Sequence, residues 1–593
     1  MPRGRRYYWS PDHFLRRALT FRPLRSEDWL ENLSDSKYVP GFISLGSRGY
    51  SADGARLFCT LIPAMLRTHL TVLQETARRA ATSIAFKLPR AESQSSHAQH
   101  WDSITYQEFL LDIEIYARHW LSTLSKAGVP TGSVVSLWLG GYGYHDVCNI
   151  YAISRAGFIP QLFSLRLPSP EVVFELIHAA GAKAMVHEPA FGDILRDCPV
   201  PAFLAAASET VSHVNCVLPD LASPSPASIA FYFHTSGSTG GSPKLVPCSY
   251  RWLDSAVAKS YQICRPLDSS RRDVTVWMGS MCHIGQSFML IGSMQHASCV
   301  IQPSTISFST QELSAMIRNC GLNRLNQFAA FLANHLRAAR QDSELRSLLC
   351  GLDEVLTSGM PLPREEEQWA YESGIKLRNL FGSTEAGGML ISIGGSGDDA
   401  RLLVPLAGTA YRFQPVGGET QAPHQSTARL LELVILEESP DCPHASLRHA
   451  DGQFHTGDLF NEVAPGQYRP CGRDDDWIKS ENSLRCNTKS IEDNARMMCG
   501  ELMSECIVVG SGRPSPVLFV EPSTDMDHEK LKREIIRKTR QFHSRRYLHE
   551  RITSSRCIVV VPQKSLPRTT KGNIRRAAVE SAYKTLLDRI YAC

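Results

Sequence analysis

The segment Thr235-Ser236-Gly237-Ser238-Thr239-Gly240-Gly241-Ser242-Pro243-Lys244 sets glycines and small hydroxylated residues ahead of a lysine, and it follows the apolar run Ile229-Ala230-Phe231-Tyr232-Phe233. Glycines let backbone N–H groups turn towards an anion, hydroxyls add donors, and the lysine adds a positive point charge. One reading is a strand feeding a loop that wraps a polyphosphate; the other is a flexible Ser/Gly turn. A Walker loop is excluded, because the G-x-x-x-x-G-K-[ST] spacing is absent.

Three further segments carry chemistry. Asn379-Leu380-Phe381-Gly382-Ser383-Thr384-Glu385 joins a glycine turn to a hydroxyl and a carboxylate. His455-Thr456-Gly457-Asp458 puts an acid on a turn, and Gly472-Arg473-Asp474-Asp475-Asp476-Trp477-Ile478-Lys479 follows closely. In this order and spacing the four segments resemble the adenylate-forming superfamily: acyl- and aryl-CoA synthetases, peptide-synthetase adenylation domains and beetle luciferases. The resemblance runs from about Leu70 to the C-terminus. It implies a reaction in two halves. A carboxylate attacks the α-phosphate of ATP, giving an acyl-adenylate and pyrophosphate; a thiol then displaces AMP. Both halves develop anionic charge, which calls for positioned cations and N–H donors.

The family's roles carry over residue by residue. Thr235, Ser236, Gly237, Ser238, Thr239, Gly240 and Lys244 would hold the β- and γ-phosphates, although one extra residue separates the Thr-Gly pair from Pro243-Lys244. Ser358, Gly359, Asn379, Leu380, Phe381, Gly382 and Ser383 would border the nucleotide, with Asn379 and Leu380 at the adenine. Thr384 would donate to the α-phosphate. Glu385 would hold Mg2+, a hard dication that prefers oxygen ligands; the alternative is a carboxylate favoured by the dipole at a helix N-terminus. Asp458 could accept both ribose hydroxyls, with Arg473 beside it. His283 falls where the family sets an aromatic ring or histidine next to the acyl carboxylate, or it is structural. Ile284, Gly285 and Gln286 offer no carboxylate to a substrate ammonium, which disfavours an α-amino acid. Phe328, Ala329, Ala330 and Phe331, with Met360, would make an apolar acyl pocket, or belong to the core. Asp475 would be the hinge of a small mobile domain, and Lys479 would face the nucleotide or the thiol tunnel.

The last motif departs from the family. In Leu566-Pro567-Arg568-Thr569-Thr570-Lys571-Gly572-Asn573-Ile574-Arg575-Arg576, asparagine stands where the family places the lysine that bridges carboxylate and α-phosphate. A lysine before the glycine resembles the variant in fungal peptide-synthetase-like adenylating reductases. The adenylation role therefore falls to Lys571, whose four-carbon stem absorbs a few ångströms of displacement, with Arg575 as a poorer substitute. Loss of adenylation is the other consequence of Asn573.

These residues need a scaffold, and the 593 residues suffice for a large domain and a smaller one. Hydrophobic residues at 43% and charged residues at 21% fit a soluble globular protein. A net charge of +4 argues against nucleic acid as the partner, and no apolar run is long enough for a membrane span. Seventeen cysteines without a C-x-x-C pair suggest neither zinc nor disulfides, but reduced thiols and a cytoplasmic location. The arginine-rich start is a poor presequence because it contains Asp12, and the chain does not end in SKL.

Apolar strands (Val134 to Leu139, Ala184 to His187) alternate with helical patterns (Ile104 to about Ala127, Asp146 to Gly157, Glu171 to Gly181), the α/β signature. Pro89 to Ser103 reads as a polar loop. Beyond Arg473, the runs at 507–509, 517–520 and 558–561 read as strands. Asp527 to Glu550 reads as a basic helix that is solvated, or that steers CoA phosphates or an acidic carrier. The expected organisation is an N-terminal extension (1–60), a large α/β domain of layered sheets (61–473) and a small mobile α+β lid (474–593). The expected function is an ATP- and Mg2+-dependent acid–thiol ligase for an apolar aryl or fatty acid, with CoA as acceptor. The alternatives are a stand-alone enzyme loading a separate phosphopantetheinyl carrier protein, and a catalytically weakened nucleotide-binding homologue.

Overall fold

The computed structural model describes residues 66–90, 100–163, 170–211, 214–221, 224–235, 244–395, 397–416, 430–474, 477–479, 485–523, 525–544, 546, 550–568 and 574–591. The chain divides into two units, 1–64 and 65–593. The predicted extension over 1–60 lies outside the described residues.

Strands Val134–Trp138 and Ala184–His187 are buried at every position, as parallel strands covered on both faces must be. They belong to a six-stranded sheet ordered Ala202–Leu204, Ala184–His187, Val134–Trp138, Ile159–Phe163, Ile229–Thr235, Lys244–Ser249. Neighbours run parallel except the last two, which form an antiparallel hairpin.

Helix Tyr106–Lys126 begins where its sequence caps it. Thr105 Oγ1 accepts the Glu108 N–H at 3.2 Å, and Glu108 Oε2 accepts the Thr105 N–H at 2.8 Å, a reciprocal capping box. Phe109, Ile113, Tyr116, Trp120 and Leu124 form its buried stripe. The next two predicted helices are Tyr144–Arg155 and Pro170–Ala180.

The second sheet has thirteen strands. Its parallel part runs Ile84–Pro89, Cys299–Ile301, Val274–Val276, Arg324–Phe328, Glu354–Ser358, Leu377–Ser383. It continues antiparallel through Gly387–Ser392, Leu403–Pro405, Gln467–Arg473, Phe454–Ala464, Leu431–Ile435 and Tyr411–Pro415. At the opposite edge, Trp101–Thr105 pairs antiparallel with Ile84–Pro89. This corrects the expected loop over 89–103. An edge strand with a solvated face tolerates polar residues such as Asp102 and Ser103, so the stretch does not pattern as a strand.

Five helices lie between the sheets and share one core with both: His69–Arg79, Tyr106–Lys126, Tyr144–Arg155, Tyr250–Ile263 and Ile284–Gln295. Phe86 and Leu356 of the large sheet and Val135 and Val186 of the small one belong to this cluster. The C-terminal body has its own cores. In the sheet Met503–Val509, Val517–Pro522, Ile558–Val560, residues Val508, Leu518 and Val520 face helices Thr488–Cys499 and His528–Ser544. Ile507, Val509 and Phe519 pack on Val579 and Leu587. The molecule is thus a large α/β body with a smaller α+β body, as expected. Among the described residues no helix is long and apolar enough to cross a membrane, and every cysteine is free.

Candidate functional site

Strands Arg324–Phe328, Glu354–Ser358 and Leu377–Ser383 lie side by side, with Phe328, Ser358 and Leu380 in register. Ligands of open α/β sheets collect outside such carboxyl ends. Here those ends present Phe328, Ser358-Gly359 and the Leu380 to Glu385 segment together. Asn379 is fixed by its backbone N–H, which donates to Ser392 Oγ at 2.8 Å.

Strand Leu377–Ser383 returns as Gly387–Ser392 through the three-residue turn Thr384–Ala386. Ser383 Oγ accepts the Ala386 N–H at 3.2 Å. Gly382 is required by close approach: a Cβ there would lie 2.4 Å from the Gly387 carbonyl oxygen. Thr384 and Glu385 are half-buried on this turn. Because the setting is strand–turn–strand, the helix-dipole reading of Glu385 does not hold.

The turn is also held from behind. Trp252 Nε1 donates to the Glu385 carbonyl at 2.9 Å, and Lys259 Nζ donates to the Ala386 carbonyl at 2.6 Å. Lys259 pairs with Asp441 at 2.6 Å, both fully buried. Burial pushes the Lys259 ammonium down in pKa, against the pull of Asp441. Sequence patterning singles out neither Trp252 nor Lys259. The available signal was a lysine on the buried face of helix Tyr250–Ile263, in line with Trp252, Ala256 and Ile263.

His283 caps helix Ile284–Gln295, its Nδ1 accepting the Gly285 N–H at 3.1 Å. This assigns the proton of the neutral ring to Nε2. The ring meets Phe328 edge-on at 5.9 Å. Phe328 also fills the space left by Gly359, whose φ is +88° and whose added Cβ would lie 3.2 Å from the ring. Histidine, phenylalanine and glycine thus converge beside the strand ends. Of the expected acyl lining, Ala329 sits in the core, Phe331 is half-buried, and Ala330 and Met360 are exposed. Gln286 is buried with Oε1 accepting the Met278 N–H at 2.8 Å, and Ile284 is buried.

Thr235 and Lys244 are cross-strand partners at the loop end of the hairpin. Ser236, Gly237, Ser238, Thr239 and Gly240 between them lie outside the described residues, as do Asp475, Lys571 and Asn573. Lys479 ends strand Trp477–Lys479, which pairs with Arg485–Asn487. Arg568 bridges Ile574 on either side of the last motif, and Arg575 precedes helix Arg576–Ala582.

Asp458 and Arg473 are cross-strand partners, with Arg473 Nη1 donating to Asp458 Oδ1 at 3.3 Å. The Asp458 N–H donates to Thr456 Oγ1 at 3.0 Å. His455 lies between Glu432, at 3.1 Å, and Asp451, at 3.0 Å. Desolvation lowers its pKa, but the two carboxylates outweigh it and hold the imidazole above its ordinary value. On helix His528–Ser544, Lys532 pairs with Glu529 and Arg537 with Glu534, so part of the basic face is neutralised locally.

The donor set can be tested against a metal. Among the described residues no group of three or more His, Cys, Asp or Glu gathers as a metal cage. A single half-buried carboxylate beside the Thr384 and Ser383 hydroxyls fits Mg2+, which keeps waters and takes further oxygens from phosphates.

Comparison with known proteins bears on the family and the fold. Residues 73–417 match the family described as AMP-binding enzyme, and 475–593 match the AMP-binding enzyme C-terminal domain. The AMP-binding domain-containing enzyme iboA of Amanita muscaria is 35% identical over 521 residues, covering 85% of this chain and 99% of that protein. An anthranilate–CoA ligase of Pseudomonas aeruginosa is 28% identical over 41% of this chain and 47% of its own length. The o-succinylbenzoate-CoA synthetase of Bacillus subtilis, solved with ATP and magnesium, has the same fold: TM-score 0.65 at 16% identity, covering 86% of this chain and 99% of that one.

Proposed function

This chain belongs to the AMP-binding enzyme family of adenylate-forming proteins, and from that membership we propose that it activates a carboxylic acid with ATP and passes the acyl group to a thiol, CoA being the first choice. The observation that carries the reading is the Thr384–Glu385 turn. Its backbone is fixed, and it ends the strand whose Leu380 pairs with Ser358, beside the strand end that sets Phe328 against His283.

In the first half-reaction a carboxylate oxygen forms a bond to the α-phosphorus. The bond to the bridging oxygen of the leaving group breaks, and pyrophosphate departs with the electron pair. Bound Mg2+ supplies charge neutralisation on the phosphates, and Glu385 would hold it. The Thr384 hydroxyl donates to an α-phosphate oxygen, and the Lys571 ammonium bridges that phosphate and the acid. Nε2–H of His283 donates to the carboxylate and orients it. Asp458 accepts from the ribose hydroxyls, and Arg473 holds that carboxylate in place. Thr235 to Gly240 and Lys244 would take the β- and γ-phosphates. In the second half-reaction the thiolate sulfur attacks the acyl carbon and AMP leaves. The acid lacks an α-ammonium: Ile284 and Gly285 offer no carboxylate to pair one, and Gln286 is occupied by the Met278 N–H.

Pyrophosphate release, measured with ATP, Mg2+ and a panel of aryl, short-chain and long-chain acids without thiol, tests this. Release with one acid class is expected, followed by thioester formation when CoA is added. Release without transfer to CoA would favour a separate carrier protein as acceptor. Silence across the panel with ATP binding intact would favour the weakened homologue that Asn573 allows.

A further inference from the structure

The turn that carries Thr384 and Glu385 rests on a helix with no part in the chemistry above. Trp252 and Lys259, two turns apart, occupy one face of helix Tyr250–Ile263. They donate to the two successive carbonyls of Glu385 and Ala386, at 2.9 and 2.6 Å. The side chains of Lys259 and Asp441 are each 1% exposed. Asp441 is itself fixed, accepting from Ser439 Oγ at 2.5 Å and from the Tyr411 hydroxyl. Stability alone is a weak reason to keep such a pair, because apolar replacements of buried ion pairs are often neutral or better. An apolar side chain cannot donate to a carbonyl inside a three-residue turn. The same helix is capped by Ser249, the last residue of strand Lys244–Ser249, whose first residue closes the Gly/Ser segment. One strand–helix unit is therefore tied to both candidate phosphate-binding segments.

We propose that Lys259 and Trp252 are positioning residues: they fix the backbone of the Thr384–Glu385 turn so that the Glu385 carboxylate meets nucleotide-bound Mg2+. The inference rests on the nucleotide reading above and adds residues that touch neither substrate nor metal. Asp441 holds the ammonium in line, and Tyr411 and Ser439 hold Asp441.

The test is the affinity for ATP, by titration calorimetry, in excess Mg2+ and in EDTA. It compares the parent chain, Trp252→Phe and the double variant Lys259→Met/Asp441→Asn. Trp252→Phe keeps aromatic packing and removes the N–H donor. The double variant leaves no lone buried charge and keeps one acceptor oxygen where the carboxylate offered one to Ser439 and one to Tyr411. The gain in ATP affinity conferred by Mg2+ should shrink about tenfold in each variant, with affinity in EDTA, which keeps only the Thr384 contact of this turn, falling by less than affinity in Mg2+. A merely structural role would lower the melting temperature and leave the ratio of the two affinities alone. An unchanged Mg2+ gain, in variants of a parent that binds ATP, overturns the proposal and spares the nucleotide reading. A parent that binds no ATP in either condition overturns that reading and the proposal with it. If the double variant fails to fold, Trp252→Phe decides the matter by itself.

Discussion

At the scale of the residue, Lys571 bears the heaviest assignment, because the position two residues on is Asn573. A positioned cation on developing phosphate charge contributes roughly 10²–10³ in rate. Lys571→Ala should therefore lower acid-dependent pyrophosphate release by about that factor while sparing thioester formation from supplied acyl-adenylate. Equal release by variant and parent would take the role from Lys571. His455 makes a pH-dependent claim. Its folded pKa is raised against desolvation by Asp451 and Glu432, so its ion pairs are complete below the unfolded value near 6.5 and are lost as pH rises through the folded value. The site is partly exposed, which limits the contribution to about 1 kcal/mol or less. His455→Asn should flatten the decline of melting temperature above about pH 6.5; an identical decline in both proteins would dismiss the imidazolium.

At the scale of the element, the turn and its two strands act as one piece. Gly382→Ala would push a methyl to 2.4 Å from the Gly387 carbonyl oxygen, a backbone atom that cannot swing aside. Overpacking of this kind costs about 1–3 kcal/mol. Loss of stability should be accompanied by weaker ATP binding, since the displaced turn carries Thr384 and Glu385. Thr105→Ala is the matched control. It removes the cap of helix Tyr106–Lys126 at a cost of about 1 kcal/mol and should leave ATP affinity alone. Denaturant titration and calorimetry separate the two. Weaker ATP binding in both variants would mean that the nucleotide affinity reports global stability.

At the scale of the whole molecule, strand Gln467–Arg473 belongs to the large sheet, whereas Ile478 belongs to the core of the C-terminal body. The short connection between them contains Asp475. A hinge works through a few residues that absorb backbone rotation, and proline fixes φ. Asp475→Pro should therefore impair one half-reaction about tenfold or more relative to the other, in parallel assays of pyrophosphate release and of thioester formation from supplied adenylate. Small, equal effects on both would place the hinge elsewhere.

Local chemistry was legible from the chain itself. Thr105 and Glu108 announce a helix start because both capping bonds span three residues. The buried strands announce themselves by short, mostly apolar runs, and the ordered motifs around Glu385 and Asp458 carry the family. What only the tertiary structure decided is which distant residues meet. Lys259 and Asp441 are 182 positions apart, and Trp252 and Glu385 are 133 apart. Sheet order, not local pattern, sets His283 against Phe328 and turns Trp101–Thr105 into an edge strand. Local composition encodes what a segment can form. The partners it finds follow from long-range strand pairing and helix packing, in which each contact depends on the whole chain being in place.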